Sequence, residues 1–382
     1  MQINKIPSTK HLKLKGKVKF VSKDKSSFFD ILKSRVDQYF ERNNLSKYAN
    51  TTMVIKTISM LLIYFTPFVL ILAFNPTLWV ALLLWLVMGL GLAGIGMSVM
   101  HDANHSAYSP NKKVNFLVGH TLNLIGGHVD NWKMQHNILH HTYTNIVNMD
   151  EDINDRIALR FSPHTEVKPF HKRQYFYAFA LYGFLTIYWA FLKDFLQFFQ
   201  FKNSGVSPAG SPLSNFLTFT RIVFVKLFYF FTFLAAPILF FGIPVLEACL
   251  GFFVMHFFAS VILSTIFQLA HTVEETTHPL PDEQGNIENL WAIHQLNTTC
   301  NFSRNSKLLT WYLGGLNYQV EHHLFPRICH VHYPEIAAIV KETAEEFGIP
   351  YLENETFGEA LNSHIQTLKR FGKLPDLNEV MA

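Results

Sequence analysis

Two long uncharged stretches alternate along this chain with polar regions rich in histidine. No charged residue falls between Thr57 and Met100, and only Glu247 interrupts the run from Leu227 to Ala270. A helix needs about 20 apolar residues to cross a hydrocarbon core of about 30 Å, so each run is long enough for two passes. The turns that divide them fall at Asn75-Pro76 and Gly242-Ile243-Pro244. The pattern predicts an all-α integral membrane protein with four spanning helices in two hairpins, at about 57–74, 77–97, 222–242 and 246–270. Arg221 and Lys226 are expected to snorkel at the end of the third span.

The rest of the chain reads as arm, interfacial segment and cap. Residues 1–26 are Lys-rich and weakly periodic, an expected mobile arm. From Phe28, the positions Phe28, Leu32, Val36, Tyr39 and Phe40 recur at helical spacing, which suits the membrane surface and the protein's own cap equally. Tyr175 to Leu192 is also uncharged. A single further crossing there would carry later residues to the opposite membrane face, so 175–200 is read as interfacial or re-entrant. In the tail, Pro334 opens one helix, which carries Ile336, Ile339, Val340 and Phe347 and stops at Gly348. Phe357, Leu361, Ile365 and Leu368 mark a second, ending near Gly372. The expected organisation is a basic arm and amphipathic helix over 1–56, a membrane domain over 57–335, and C-terminal cytoplasmic helices over 336–382.

Charge orients this scheme. The net charge is +4, and residues 1–56 hold 13 Lys or Arg against four Asp or Glu, whereas the two hairpin turns hold no basic residue. The positive-inside rule therefore places both termini in the cytoplasm. A basic segment beside a span suits anionic lipid rather than nucleic acid. Cys249, Cys300 and Cys329 have no metal-ligand spacing, and reduced thiols are expected. The first apolar run begins too deep for a cleaved signal peptide.

Both uncharged runs end on histidine. His101 and His105 are one helical turn apart, the spacing that lets two imidazoles reach one metal, and His136 and His140 repeat it with His141 beside them. Gln319, His322 and His323 make a third cluster, and His271 ends the second run. One pair is weak evidence, but the crossing count puts all of these on one membrane face. Their number exceeds a single tetrahedral zinc site and suits two metals in a cytoplasmic cap. Imidazole leaves iron, copper, nickel and zinc open. Asp102 stands where a zinc protease has its glutamate base. Asp102, Asn104, Asn145, Asp150, Asp152 and Glu321 are candidates to accept from ligand N–H groups. Gln268 is read as an interfacial amide. His120, His128, His256, His294, His330 and His332 are read as structural.

The clusters resemble those of the membrane fatty acid desaturases from about Thr57 to Glu335. His-x3-His, His-x3-His-His and Gln-x2-His-His follow the order and spacing of that family's three histidine boxes, and His322-His323-Leu324-Phe325-Pro326 is similar to its flanking sequence. The resemblance implies a di-iron centre using O2 to take two hydrogens from adjacent methylenes of a fatty acyl chain carried as acyl-CoA or acyl-lipid. It implies His101, His105, His136, His140, His141, His322 and His323 as ligands, with His271 an additional one. Gln319 in place of histidine is typical of front-end members, and its amide oxygen is a possible ligand. No His-Pro-Gly-Gly haem motif is present: His278-Pro279 is followed by Leu280. Electrons are therefore expected from a separate donor such as ferredoxin or cytochrome b5. The expected location is a bacterial inner membrane rather than the endoplasmic reticulum. A delta-9-type desaturase, a related lipid hydroxylase or sphingolipid-modifying enzyme, and a histidine-rich metal transporter are the alternatives. A transporter would line a path near the midplane.

Overall fold

The computed structural model describes residues 18–22, 26–153, 158–204 and 211–375. Helix α1 spans Phe28–Arg42, α2 Thr51–Phe74 and α3 Leu78–Asn104. A polar region carries α4, residues 129–143. A pair bent by 63° follows, α5 (Pro169–Tyr182) and α6 (Leu185–Asn203), and then α7 (Pro212–Phe241) and α8 (Val245–His271). The cap adds α9 (Trp291–Thr298), α10 (Gln319–Leu324), α11 (Tyr333–Glu346) and α12 (Phe357–Lys373). Two short parallel pairs tie loops together, β1 (Lys19–Phe20) with β2 (Asn286–Ile287) and β3 (Asn301–Phe302) with β4 (Glu353–Asn354).

Among the described residues four helices, α2, α3, α7 and α8, are long and apolar enough to cross a membrane. Half of the apolar window of α3 and α8 is buried against 28% for α2 and α7, so α3 and α8 form the inner pair. Glycine lets them close up. A Cβ on Gly251 of α8 would lie 2.1 Å from Trp85 Nε1, and one on Gly91 would lie 2.6 Å from Tyr64 N of α2. Small residues serve this purpose where backbones must approach without a driving force from water. Phe74, Trp79, Phe240 and Leu246 remain exposed on the outer faces.

Several boundaries differ from expectation. Helix α2 begins at Thr51 rather than 57, because Asn50 caps it by accepting the Met53 amide at 3.1 Å. Helix α3 continues past 97 through a π-turn, Ile95–Val99, and α7 starts at Pro212 rather than 222. Lys226 does not snorkel. It is buried and donates to Asp194 Oδ2 (2.5 Å), the Gly126 carbonyl (2.6 Å) and the Trp189 carbonyl (2.8 Å), tying α7 to α6.

The bent pair reaches the middle of α8. Thr186, just past the break, donates its backbone N–H to Ser260 Oγ at 2.9 Å and bonds His256 Nδ1 at 2.8 Å through its hydroxyl. In the cap, α1 buries Phe28, Leu32, Val36 and Phe40 against Ile336, Val340 and Ala344 of α11, and Arg35 grips Glu346 at 2.7–2.8 Å. The apolar face of α1 is thus packed on the protein's own cap. Most of the expected mobile arm lies outside the described residues, but Lys19 and Phe20 are held in β1. The tail helices fall where Pro334, Gly348 and the apolar spacing predict.

Candidate metal centre

The histidines converge from four chain segments. His101 lies on the last turn of α3 with His105 at its end, His136, His140 and His141 lie on α4, His271 ends α8, and His322 and His323 lie on α10. Nitrogens of His101, His105, His136 and His322 lie within 4.8 Å of one another, and those of His140, His271 and His323 form a second such group. His141 sits between the groups, its ring 4.5 Å from that of His322 and 4.4 Å from that of His323. The expectation that His136 and His140 reach one metal is corrected. Residues 133–140 form a π-turn, in which the residue one turn on lies five positions along rather than four. His136 Nε2 therefore meets His141 Nε2 at 3.3 Å, and His140 turns to the other group.

One nitrogen of several rings is fixed from outside. His140 Nδ1 bonds Asp150 at 3.1 Å, His271 Nδ1 the Thr298 carbonyl at 3.2 Å, His322 Nδ1 the Tyr333 hydroxyl at 3.2 Å, and His323 Nδ1 the Gln295 amide oxygen at 2.8 Å. The other nitrogen has no protein partner. Nε2 of His105, His140, His271, His322 and His323 is buried and unbonded. A buried polar atom without a partner costs about 1–3 kcal/mol, so five such nitrogens, divided between the two groups, make a donor set that fits cations. Burial, and then the neighbouring imidazoles, push His105, His136, His141, His322 and His323 well below the usual histidine range. Neutral imidazole is the ligating form. Burial opposes charge on His140 too, yet Asp150 alongside raises it overall. Trp132 closes one side, its ring 4.5 Å from that of His136 and 5.6 Å from that of His101.

An apolar cavity of about 310 Å³ opens beside His101 and His136. It runs between α3, α8 and the bent pair, past Leu92, Ile125, Leu263 and Phe267. A family model described as fatty acid desaturase matches residues 76–354. The chain belongs to the fatty acid desaturase family. The sn-1 linoleoyl-lipid 6-desaturase of Synechocystis sp. is 37% identical over 361 residues, covering 94% of this chain and 98% of that protein. A protein of the same description from Arthrospira platensis is 36% identical over 352 residues, 91% of this chain and 94% of that one. The acyl-lipid (8-3)-desaturase of Physcomitrium patens is 33% identical over 361 residues, 94% and 74% of the two chains.

The remaining expected residues of this desaturase divide by what they touch. Gln319 opens α10 one turn ahead of His322 and His323 and is buried. Asp150 supports His140, as expected of it. Asp102 instead bonds His330 at 2.7 Å and stands 3.8 Å from His101. With Cys329 these form a third compact group, but Lys56 Nζ, 2.5 Å from His330 Nε2, already occupies its polar side. Glu321 touches no histidine and accepts from Tyr351 (2.7 Å) and Asn301 (2.8 Å), bracing α10. Asn104 donates to the Gly119 carbonyl and Asn145 to that of His271. Gln268 accepts from Thr272, and His294 packs on Phe20. Sequence reasoning missed Gln295, Thr298, Tyr333 and Trp132. Gln295 directly follows His294, whose structural reading gives no sign that its neighbour reaches His323. Thr298 acts through its carbonyl and leaves no side-chain signal.

Proposed function

We propose that this chain is a front-end acyl-lipid desaturase, which adds a cis double bond on the carboxyl side of an existing one. The observation that carries this reading is the two histidine groups, with unbonded buried nitrogens on His105, His140, His271, His322 and His323, beside an apolar cavity that His101 and His136 line. His101, His105, His136 and His322 would hold one iron and His140, His271 and His323 the other, with His141 between the two groups. Iron with O2 supplies an oxidant strong enough to take hydrogen from a methylene, which has no polarity for acid–base chemistry to exploit. The chain's part is placement and exclusion of water. The cavity walls hold an acyl segment against His101 and His136, and the outer partners fix the tautomers of His140, His271, His322 and His323.

Two helical hairpins, α2–α3 and α7–α8, give both termini and the metal groups the same side, the cytoplasmic one by charge. The bent pair then enters and leaves on that side as a re-entrant element. Electrons come from a separate protein that docks on the cytoplasmic face, where the Lys and Arg residues of 1–56 favour an acidic carrier. The test is expression in a host lacking polyunsaturated acids, fed linoleate, with lipids analysed by gas chromatography–mass spectrometry. A triene with its new bond on the carboxyl side is expected. Conversion of stearate to oleate with no product from linoleate overturns the front-end assignment. Metal analysis showing zinc and no iron after growth in iron-replete medium overturns the di-iron one.

A further inference from the structure

The wall of the cavity opposite α3 is made largely by the bent pair, through Leu181, Phe184, Leu185, Thr186 and Trp189. We propose that the bend at 183–186 is the floor that measures the methyl end of the acyl chain, and that His256 is the positioning residue that holds it. This rests on the acyl desaturase reading. Along α3 the lining extends from His101 back to Leu92, and along α8 from Gln268 back to Leu263. At 1.5 Å rise per residue Leu92 and Leu263 lie about 12–14 Å below His101 and His271. Thr186 meets Ser260 less than one turn below Leu263, so the seam between bend and α8 closes the cavity there.

The seam is polar at a depth where polarity is costly. The helix break frees the Thr186 N–H, which Ser260 accepts, and the Thr186 and Ser260 hydroxyls lie 2.6 Å apart. His256 joins the two sides, with Nδ1 2.8 Å from Thr186 Oγ1 and Nε2 2.8 Å from Tyr229 Oη of α7. Gly183 lets the bend seat against α8, for a Cβ there would lie 2.2 Å from the Phe257 ring. The floor is thus pinned to two membrane helices by hydrogen bonds rather than by packing alone. Three backbone bonds of an extended chain cover about 3.3–3.6 Å, so each bond advances about 1.2 Å. The cavity depth therefore admits about ten carbons beyond the reacting pair, which in an eighteen-carbon chain leaves that pair in the carboxyl half.

The test uses the full-length enzyme in membranes of an expressing host, fed eighteen-carbon and twenty-carbon di-unsaturated acids, reading conversion ratio and double-bond position. His256→Phe removes both hydrogen bonds at similar volume, and Thr186→Val removes the hydroxyl alone. Releasing one buried hydrogen bond is expected to raise the twenty-to-eighteen-carbon ratio about fivefold and to add products with the bond nearer the carboxyl group. His256→Gln, which keeps a donor and an acceptor, is expected to stay near the wild-type ratio. Unchanged ratios and positions in both variants of an active enzyme overturn the inference alone. So does loss of both variants from the membrane, which would make the anchor a requirement of folding only. A wild type that converts no acyl chain overturns the desaturase reading together with the inference.

Discussion

Asp150→Asn isolates what the outer partners contribute to the metal centre. Asp150 is buried and accepts three hydrogen bonds, from His140 Nδ1 at 3.1 Å and Asn145 N at 3.0 Å on one oxygen, and from Asp152 N at 3.0 Å on the other. Asparagine has nearly the same shape but only one acceptor oxygen. Whichever way its amide turns, an NH2 group faces a buried donor, at a cost of about 1–3 kcal/mol. If the His140 bond is the one lost, His140 is no longer held in the tautomer that turns Nε2 inward. The substitution is expected to weaken metal retention about tenfold to a hundredfold. The assay is iron per chain after dialysis against graded chelator, with Asp152→Asn as control, because Asp152 stands farther off at 3.7 Å. Asp150→Asn protein that keeps its iron at the same chelator concentrations as wild type refutes the reasoning.

His271→Ala is expected to abolish desaturation and lower metal content without unfolding the protein; near wild-type activity would make it an interfacial histidine only. Lys226→Met strands Asp194 without its cation and is expected to destabilise the protein by about 3–5 kcal/mol, whereas Lys226→Met with Asp194→Asn costs less, as thermal unfolding in detergent reads out. The metal-free protein is expected to lose stability as pH falls below about 6.5. The sign follows from His105, His136, His141, His322 and His323, whose folded values lie below the unfolded one, so the unfolded chain takes up protons that the folded one refuses. His140, raised by Asp150, works the other way, but it is one group against five. Melting temperatures that stay flat or rise between about pH 7 and pH 5.5 contradict this.

The apolar helices and the segments that carry the clustered histidines were legible because both signals are local. An uncharged run and a histidine spacing need no knowledge of neighbours. The partition of the rings between two groups was not legible, because it depends on the π-turn at 133–140, which no residue type announces. Lys226 reads in sequence as a snorkelling cation; its burial is decided by Asp194 and two carbonyls supplied by other segments. Likewise Tyr333 and Gln295 reach the centre only through the fold of the cap, at 3.2 Å from His322 and 2.8 Å from His323. The depth of the bent pair was hidden for the same reason, since His256 and Ser260 look like isolated polar residues on an apolar helix until Thr186 meets them.

The split of neighbouring histidines between the two groups bears on how the centre fills. His322 and His323 are consecutive, and His136 and His140 share one short segment, yet each pair has one member in each group. An ion entering either group therefore immobilises the backbone that carries ligands for the other, and the second ion meets a site whose ordering cost is already met. Loading should be cooperative, with half-filled molecules scarce and a sigmoidal titration curve.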